Sequence, residues 1–113
     1  MMQLDIHPEL LSQAIITTIH VKNEAKRVRF EFDYMEYVDK WFMSIYNAQS
    51  GETYCTNVPL VASYSMKNNL LEPFSYKNIG EVACVPIVSN PSSQDPKKNN
   101  LSEFAVIWGE DLG

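Results

Sequence analysis

Single apolar and charged residues alternate along the segment from Val28 to Asp33. Successive side chains of a β-strand point to opposite faces, so this alternation predicts a strand with one buried and one solvated face. The preceding run from Ala14 to Val21 is rich in β-branched residues, which favour strands, and the polar segment Lys22 to Ala25 separates the two. Together these patterns predict a hairpin. The apolar positions of its second strand are Val28, Phe30 and Phe32, and the charged ones are Arg29, Glu31 and Asp33.

A second hairpin is predicted between residues 41 and 57. Side chains from Trp41 to Tyr46 alternate between two faces, and Glu52 to Asn57 returns as another strand. The segment between them, Asn47 to Gly51, has the composition of a short loop, and its glycine tolerates the positive φ that a tight connection requires. Two consecutive hairpins favour an antiparallel sheet.

Two prolines restrict where the later strands lie. Proline cannot donate to a strand ladder, so Pro59, and Pro86 within the predicted strand Glu81 to Val88, indicate sheet edges or bulges. Strand addition by a neighbouring protein is one way to cover such edges. Ala62 to Gly80 is a long connection with room for one helical turn, and Phe104 to Trp108 forms the last strand.

The fold class that follows is all-β with minor α, a small antiparallel β-barrel or sandwich of about six to eight short strands. We divide the chain into an irregular amino-terminal arm, residues 1–12, and a single β domain, residues 13–113, in which residues 89–100 form an exposed loop. Alternation and aromatic character predict four core residues: Phe30, Phe32, Trp41 and Phe104.

Charge and cysteine content disfavour several function classes. The 113 residues include 9 Lys and Arg against 14 Asp and Glu, and the net charge of −5 repels phosphate backbones, so we expect no nucleic-acid partner. We expect no membrane segment, because no apolar run approaches the roughly 20 residues of a spanning helix, and no secretory signal, so the protein is predicted to be made in a cytoplasm. Cys55 and Cys84 are predicted to pack as small hydrophobic residues, and neither a metal nor a cofactor is expected.

Catalytic motifs such as a glycine-rich phosphate loop, a nucleophile elbow or a Cys–His pair are missing from the sequence. Asp33, Glu36 and Asp39 recur at every third residue, and we interpret them as a charged hairpin tip that stays in solvent. An enzyme that uses Asp33 and Glu36 as paired carboxylates stays open as an alternative, because such groups converge in space and not in sequence. The sequence favours a protein that is not an enzyme.

Aromatic residues outside the alternating strands are the candidates for partner binding. Four of the 6 tyrosines fall in turn-like or long-loop segments, where large flat side chains serve docking surfaces. The predicted partner-binding residues are these tyrosines together with three residues of the 89–100 loop: Tyr34, Tyr37, Tyr64, Tyr76, Pro91, Asp95 and Lys97.

The order of these segments resembles that of a known family. From Ile15 to Trp108 the chain shows the following segments in order: an aromatic strand from Phe30 to Tyr34, a Trp-led strand from Trp41 to Ile45, a turn at Gly51, Pro59-Leu60, Leu70-Leu71, a strand led by Gly80, a polar loop, and a last strand of Leu-x-x-x-aliphatic pattern from Leu101 to Trp108. This order is similar to that of the small baseplate plug proteins of contractile-tailed phages. Two positions depart from the family pattern, since Ala62-Ser63-Tyr64 and Ser102 stand where the family usually has a glycine.

The resemblance implies a structural protein of the virion, placed at the centre of the tail baseplate and assembled in the host cytoplasm. It implies contacts with hub, spike and tail tube proteins in a hetero-oligomeric assembly, and no catalytic turnover. The alternative hypothesis is a small cellular β-barrel that binds a ligand or peptide in a pocket lined by Trp41, Tyr46 and Trp108.

Overall fold

Seven strands and two short 3-10 helices make up the computed structural model, which describes residues 1–113. The strands are β1 (Met2–Leu4), β2 (Ser12–Val21), β3 (Glu24–Met35), β4 (Lys40–Asn47), β5 (Thr53–Pro59), β6 (Glu81–Pro86) and β7 (Phe104–Gly109). They form a four-stranded sheet in the order β2-β3-β4-β5 and a three-stranded sheet in the order β1-β7-β6, both antiparallel. The predicted all-β class is confirmed in its sandwich form, since no closed barrel is present.

The β2–β3 hairpin is longer and tighter than its sequence indicated. Its ten paired positions run from Ser12↔Asp33 to Val21↔Glu24, and the turn consists of Lys22 and Asn23 alone. Both turn residues have positive φ, 52° and 63°, which is the geometry of a type I′ turn and matches the twist of the strands it joins. The predicted four-residue turn is therefore half as long.

The other predicted hairpin and both proline positions are confirmed. β4 pairs with β5 across a turn that contains Gly51 at φ 78°, and the register between them shifts near Ile45. Pro59 ends β5 and Pro86 ends β6, and each of these strands lies at the edge of its sheet. Between them, the long connection contains the 3-10 helix Glu72–Lys77, six residues kinked at Phe74, where one helical turn was expected.

The amino-terminal arm is not irregular throughout, which corrects the expectation for residues 2–4. β1 pairs with β7, with Met2 opposite Trp108 and Leu4 opposite Val106, so the two ends of the chain meet in one sheet. Leu4 is buried in the core. Three residues give too short a pattern to predict a strand, and the partner strand lies at the far end of the sequence.

The core lies between the two sheets and contains the residues predicted from alternation. Phe30, Phe32 and Trp41 are fully buried and Phe104 is nearly so. Cys55 and Cys84 are buried free thiols, as predicted. The remaining core side chains from the two sheets include Val28, Met43, Ile45, Val82, Val106 and Trp108.

The loop 89–100 is only partly exposed, which corrects the expectation of an exposed loop. Pro96 and Asn100 are buried, whereas Ser89, Asn90 and Lys98 are exposed. The polar composition of the loop did not indicate these buried residues, because the burial of Asn100 depends on hydrogen-bond partners that only the folded loop provides. The second 3-10 helix, Leu101–Glu103, follows directly. Neither helix is long or apolar enough to cross a membrane.

Candidate docking surface

Two segments far apart in sequence converge at one end of the molecule. They are the β3–β4 turn, Glu36–Asp39, and the loop 89–100, and residues 62–64 lie beside the loop, where the Tyr64 hydroxyl donates to the Ser89 carbonyl at 3.4 Å. We call the combined surface of these three segments the tip. The Lys97 ammonium lies 3.4 Å from a carboxylate oxygen of Asp39, and the Trp41 indole N–H donates to the carbonyl of Lys97 at 3.0 Å. Since Trp41 is fully buried in β4, the second bond ties the loop directly to the core.

Asp39 is the acceptor at which the turn is fixed. The Tyr34 hydroxyl donates to one carboxylate oxygen of Asp39, and Lys97 pairs with the other. The Tyr34 hydrogen bond, aided by Lys97, holds the pKa of Asp39 below its ordinary value, and the same hydrogen bond raises the pKa of Tyr34 to about 12. Tyr34 therefore stays a donor, and Asp39 stays a charged acceptor, throughout the neutral pH range.

The loop is also held by bonds of its own polar side chains. The Asn100 amide oxygen accepts from the Lys97 N–H, and its amide nitrogen donates to the Ser93 hydroxyl, both at 2.6 Å. Asp95 accepts from the Ala62 N–H at 2.9 Å, which fixes the loop to the chain just after β5. These bonds give the tip a defined shape although it contains no regular secondary structure.

The tip surface contains two adjoining depressions. One, of about 250 Å³, is lined wholly by polar residues: Asp39, Ser92, Ser93, Lys97, Lys98, Asn99 and Asn100. The other, of about 400 Å³, has alanine, tyrosine and proline among its lining residues: Ala62, Ser63, Tyr64, Pro86, Pro91, Ser93 and Gln94. Ser93 lines both. A partner on this surface would find hydrogen-bond donors and acceptors beside an aromatic and proline surface.

The structure brings five of the seven predicted partner-binding residues to the tip. Tyr37 is 86% exposed and Tyr64 is 73% exposed, so both rings project into solvent. The other three, Pro91, Asp95 and Lys97, lie in the loop, where Asp95 and Lys97 make the bonds described above.

Tyr34 and Tyr76 lie elsewhere. Tyr34 was predicted to lie in a turn, but it lies in β3. Its half-buried ring packs against Trp41, with 5.6 Å between the ring centroids. Tyr76 is 72% exposed in the 3-10 helix Glu72–Lys77 and lines a depression with Glu24–Arg27, the first residues of β3. The tip lies where β3 ends, so Tyr76 is at the opposite end of the molecule.

Comparison with known proteins places the chain in a family. A family model described as "Cyanophage baseplate Pam3 plug gp18" matches residues 1–111. The chain belongs to this baseplate plug family. Its place is therefore the tail baseplate of a phage virion, where it has a structural role and assembles with other baseplate components. A comparison with curated proteins found no match.

The features of the plug fold do not support a ligand pocket lined by Trp41, Tyr46 and Trp108. Trp41 is buried on the inner face of β4, whereas Tyr46 lies on its outer face, because residues 41 and 46 are an odd number of positions apart. Trp108 belongs to the other sheet, and its indole N–H donates to the Ile79 carbonyl at 2.8 Å. Both indoles thus act as internal hydrogen-bond donors.

The carboxylates considered for an enzyme are used structurally or lie in a turn. Asp33 is on the outer face of β3 and accepts a hydrogen bond from the Ser12 hydroxyl at 2.7 Å. The Glu36 carbonyl accepts from the Asp39 N–H inside the β3–β4 turn at 3.2 Å. No group of three or more His, Cys, Asp or Glu side chains is placed to hold a metal ion.

Sequence reasoning missed the two residues that organise the tip. Asp39 was interpreted only as part of a charged turn, and Asn100 was one of several asparagines in a polar loop. The alternation of Phe30, Phe32 and Tyr34 could have indicated the role of Asp39, because it places Tyr34 on the inner face of β3, beside the turn that contains Asp39. Nothing in the sequence distinguishes Asn100 from Asn99.

Proposed function

We propose that this plug protein is a non-catalytic docking component that contacts hub, spike or tail tube proteins through the tip. The observation that carries the proposal is the anchoring of the tip by Trp41, Asp39 and Asn100, which holds the exposed rings of Tyr37 and Tyr64 on a surface of defined shape. Assembly takes place in the host cytoplasm, before the tail is complete.

The physical reason for docking at the tip is a low entropy cost. A surface loop that is ordered only on binding loses conformational freedom at that moment, which weakens association. Here the loop is already held by the Lys97 carbonyl and the Asn100 side chain. Tyrosine has few rotatable bonds and combines an apolar ring with a polar hydroxyl, so exposed tyrosines are effective interface anchors.

The experiment is co-purification of the tagged plug protein with the hub, spike and tail tube proteins of the same phage, each co-expressed separately. The test variant is Tyr37→Ala combined with Tyr64→Ala. The matched control is Tyr76→Ala, which removes an equally exposed tyrosine at the opposite end. We expect the double variant to lose at least one partner while its thermal unfolding is unchanged, and the control to keep all of them.

Two results would contradict the proposal. The first is capture of the same partners by the double variant and by the unmodified protein. The second is loss of capture in Tyr76→Ala alone, which would place the docking surface at the other end of the sandwich.

A further inference from the structure

β2 is a long sheet edge without the features that normally protect one. It is the outermost strand of the four-stranded sheet and pairs with β3 over all ten residues without a bulge. Ser12–Val21 contains no proline and no Asp, Glu, Lys or Arg. Natural proteins use short length, charge, proline or bulges to keep sheet edges from pairing with other chains. The strand has none of these.

The register shows which main-chain groups of β2 are free. A two-residue hairpin turn makes the closing pair, Val21 and Glu24, a hydrogen-bonded pair, so the odd-numbered residues of β2 bond to β3. The N–H and C=O groups of the alternate residues point outward. None of the hydrogen bonds outside the strand ladders involves a main-chain atom of residues 12–21. The residues whose main-chain N–H and C=O groups point away from β3 are Ser12, Ala14, Ile16, Thr18 and His20.

The other three edges are protected. β5 has a shifted register against β4, a residue of positive φ, Asn57, and a terminal proline. β6 is covered by the preceding connection, in which the Ser63 N–H donates to the Cys84 carbonyl at 2.9 Å and the Leu70 N–H to the Val82 carbonyl at 2.8 Å. β1 is only three residues long. Strand addition is therefore disfavoured at the edges marked by Pro59 and Pro86.

Two charged side chains of β3 lean over β2 towards its free edge. The Arg27 guanidinium donates to the Thr18 hydroxyl at 3.3 Å, and the Asp33 carboxylate accepts from the Ser12 hydroxyl at 2.7 Å. Neither takes part in an ion pair, since the ion pairs of the chain join other residues. The edge thus has a positive group near Thr18 and a negative group near Ser12, about 20 Å apart along the strand.

We propose that the β2 edge receives an extended segment of another baseplate subunit as a fifth strand of the four-stranded sheet. The segment carries an acidic side chain opposite Thr18, a basic one opposite Ser12 and uncharged residues between them. This inference rests on the proposed function, since it assumes that the plug is held by neighbouring subunits. Main-chain hydrogen bonds supply the attachment, and the two charges fix its register and direction.

A second copy of the chain is a weaker occupant because of the area available. The edge is about 34 Å long and about 10 Å thick, so pairing two copies along it buries roughly 700 Å² in total. Stable interfaces bury at least about 1,200 Å². A baseplate subunit that contributes the segment and also contacts another surface of the plug does not face this limit, because that other contact raises the effective concentration of the segment at the edge.

The test uses the same co-expression with hub, spike and tail tube proteins. Ile16→Pro removes an outward N–H and leaves the bonds to β3 in place, and Ile16→Ala is the matched control that keeps the N–H. A second variant, Arg27→Glu, reverses the charge near Thr18 without altering the main chain. We expect capture of one subunit to fall at least tenfold in Ile16→Pro and in Arg27→Glu, and to stay within twofold in Ile16→Ala.

Amide hydrogen exchange identifies the mode of contact. In the complex, protection should appear at the outward amides Ala14, Ile16 and Thr18, whereas Ile15 and Thr17 are protected already in the free protein. A contact through side chains alone would not give this alternation. Thermal unfolding of each variant shows whether a loss of capture comes from loss of the fold, and Arg27→Glu keeps the test decisive if Ile16→Pro does not fold.

Three results would overturn the inference. Equal capture by Ile16→Pro, Arg27→Glu and the unmodified protein would overturn the edge contact while leaving docking at the tip intact. Concentration-dependent protection of the outward amides in the isolated chain would make a second copy the occupant. Failure of the unmodified protein to capture any subunit would reject the proposed function and this inference together.

Discussion

Replacing Asn100 by alanine tests whether side-chain hydrogen bonds hold the tip together. The substitution removes the acceptor of the Lys97 N–H and the donor to the Ser93 hydroxyl, both at 2.6 Å. Each hydrogen bond contributes about 1 kcal/mol net, so we expect a loss of about 2 kcal/mol in the free energy of unfolding. Because Lys97 is half-buried, water can replace part of the hydrogen bonding that its N–H loses, so we add no further penalty for an unsatisfied donor. At roughly 4 °C per kcal/mol, Tm falls by about 8 °C.

Urea unfolding followed by tryptophan fluorescence measures this loss. Asn99→Ala is the matched control, because Asn99 is exposed and makes no hydrogen bond, and its free energy of unfolding should stay within about 0.5 kcal/mol of the unmodified protein. Asn100→Asp keeps the acceptor, but it replaces the donor by a buried carboxylate oxygen that faces the Ser93 hydroxyl, which already donates to the Asp95 carbonyl, so its loss should be at least as large as that of Asn100→Ala. If Asn100→Ala and Asn99→Ala unfold at the same urea concentration, the hydrogen bonds do not hold the tip and the reasoning is wrong.

Three further predictions concern single sites. Gly80→Ala should cost about 2–5 kcal/mol in urea unfolding, because Gly80 has φ 84° and a Cβ there would lie 2.6 Å from the Trp108 indole nitrogen. In a spectrophotometric pH titration, Tyr34 should ionise near pH 12, after the other tyrosines, and Asp39→Ala should abolish this late ionisation. Because the pKa of Tyr34 is raised in the folded protein, the Tyr34–Asp39 hydrogen bond stabilises the fold below pH 10, and this stabilisation is lost as the pH rises through about 12. Burial raises the pKa of the Cys84 thiol to about 12, so Cys84 should resist iodoacetamide at pH 8 until urea unfolds the protein; modification of the folded chain would contradict this.

Local patterns of the sequence were sufficient to predict the hairpins and the core. The alternation that includes Phe30 and Phe32 fixes the inner face of β3, and Trp41 follows from the same rule in β4. The pairing of β1 with β7 was not predictable, because it joins the two ends of the chain and no local pattern specifies a partner so distant. The division into two sheets was not predictable either, because hairpins determine which strands are neighbours within a sheet but not how two sheets pack.

The candidate site was predicted in part, for a related reason. Exposure of Tyr37 and Tyr64 follows from their positions in polar connections, whereas Tyr34 was misplaced because the alternation of β3 was taken to end at Asp33. The contact between Lys97 and Asp39, and the burial of Asn100, depend on the loop folding back across the β3–β4 turn. Such long-range contacts of a polar loop leave no periodic trace in the sequence.

The tip and the β2 edge meet near Ser12, and their positions suggest different roles in assembly. The first residues of β2 lie beside the β3–β4 turn, because the Tyr34 N–H donates at 2.8 Å to the carbonyl of Leu11, the residue just before β2. Main-chain bonds along an edge accept many sequences, whereas exposed tyrosines and a shaped polar surface select among partners. If one subunit contacts both, the second contact forms at high effective concentration, and the losses from tip and edge variants are each partial. If two subunits share the plug, each variant releases a different one, and capture by single subunits distinguishes the two arrangements.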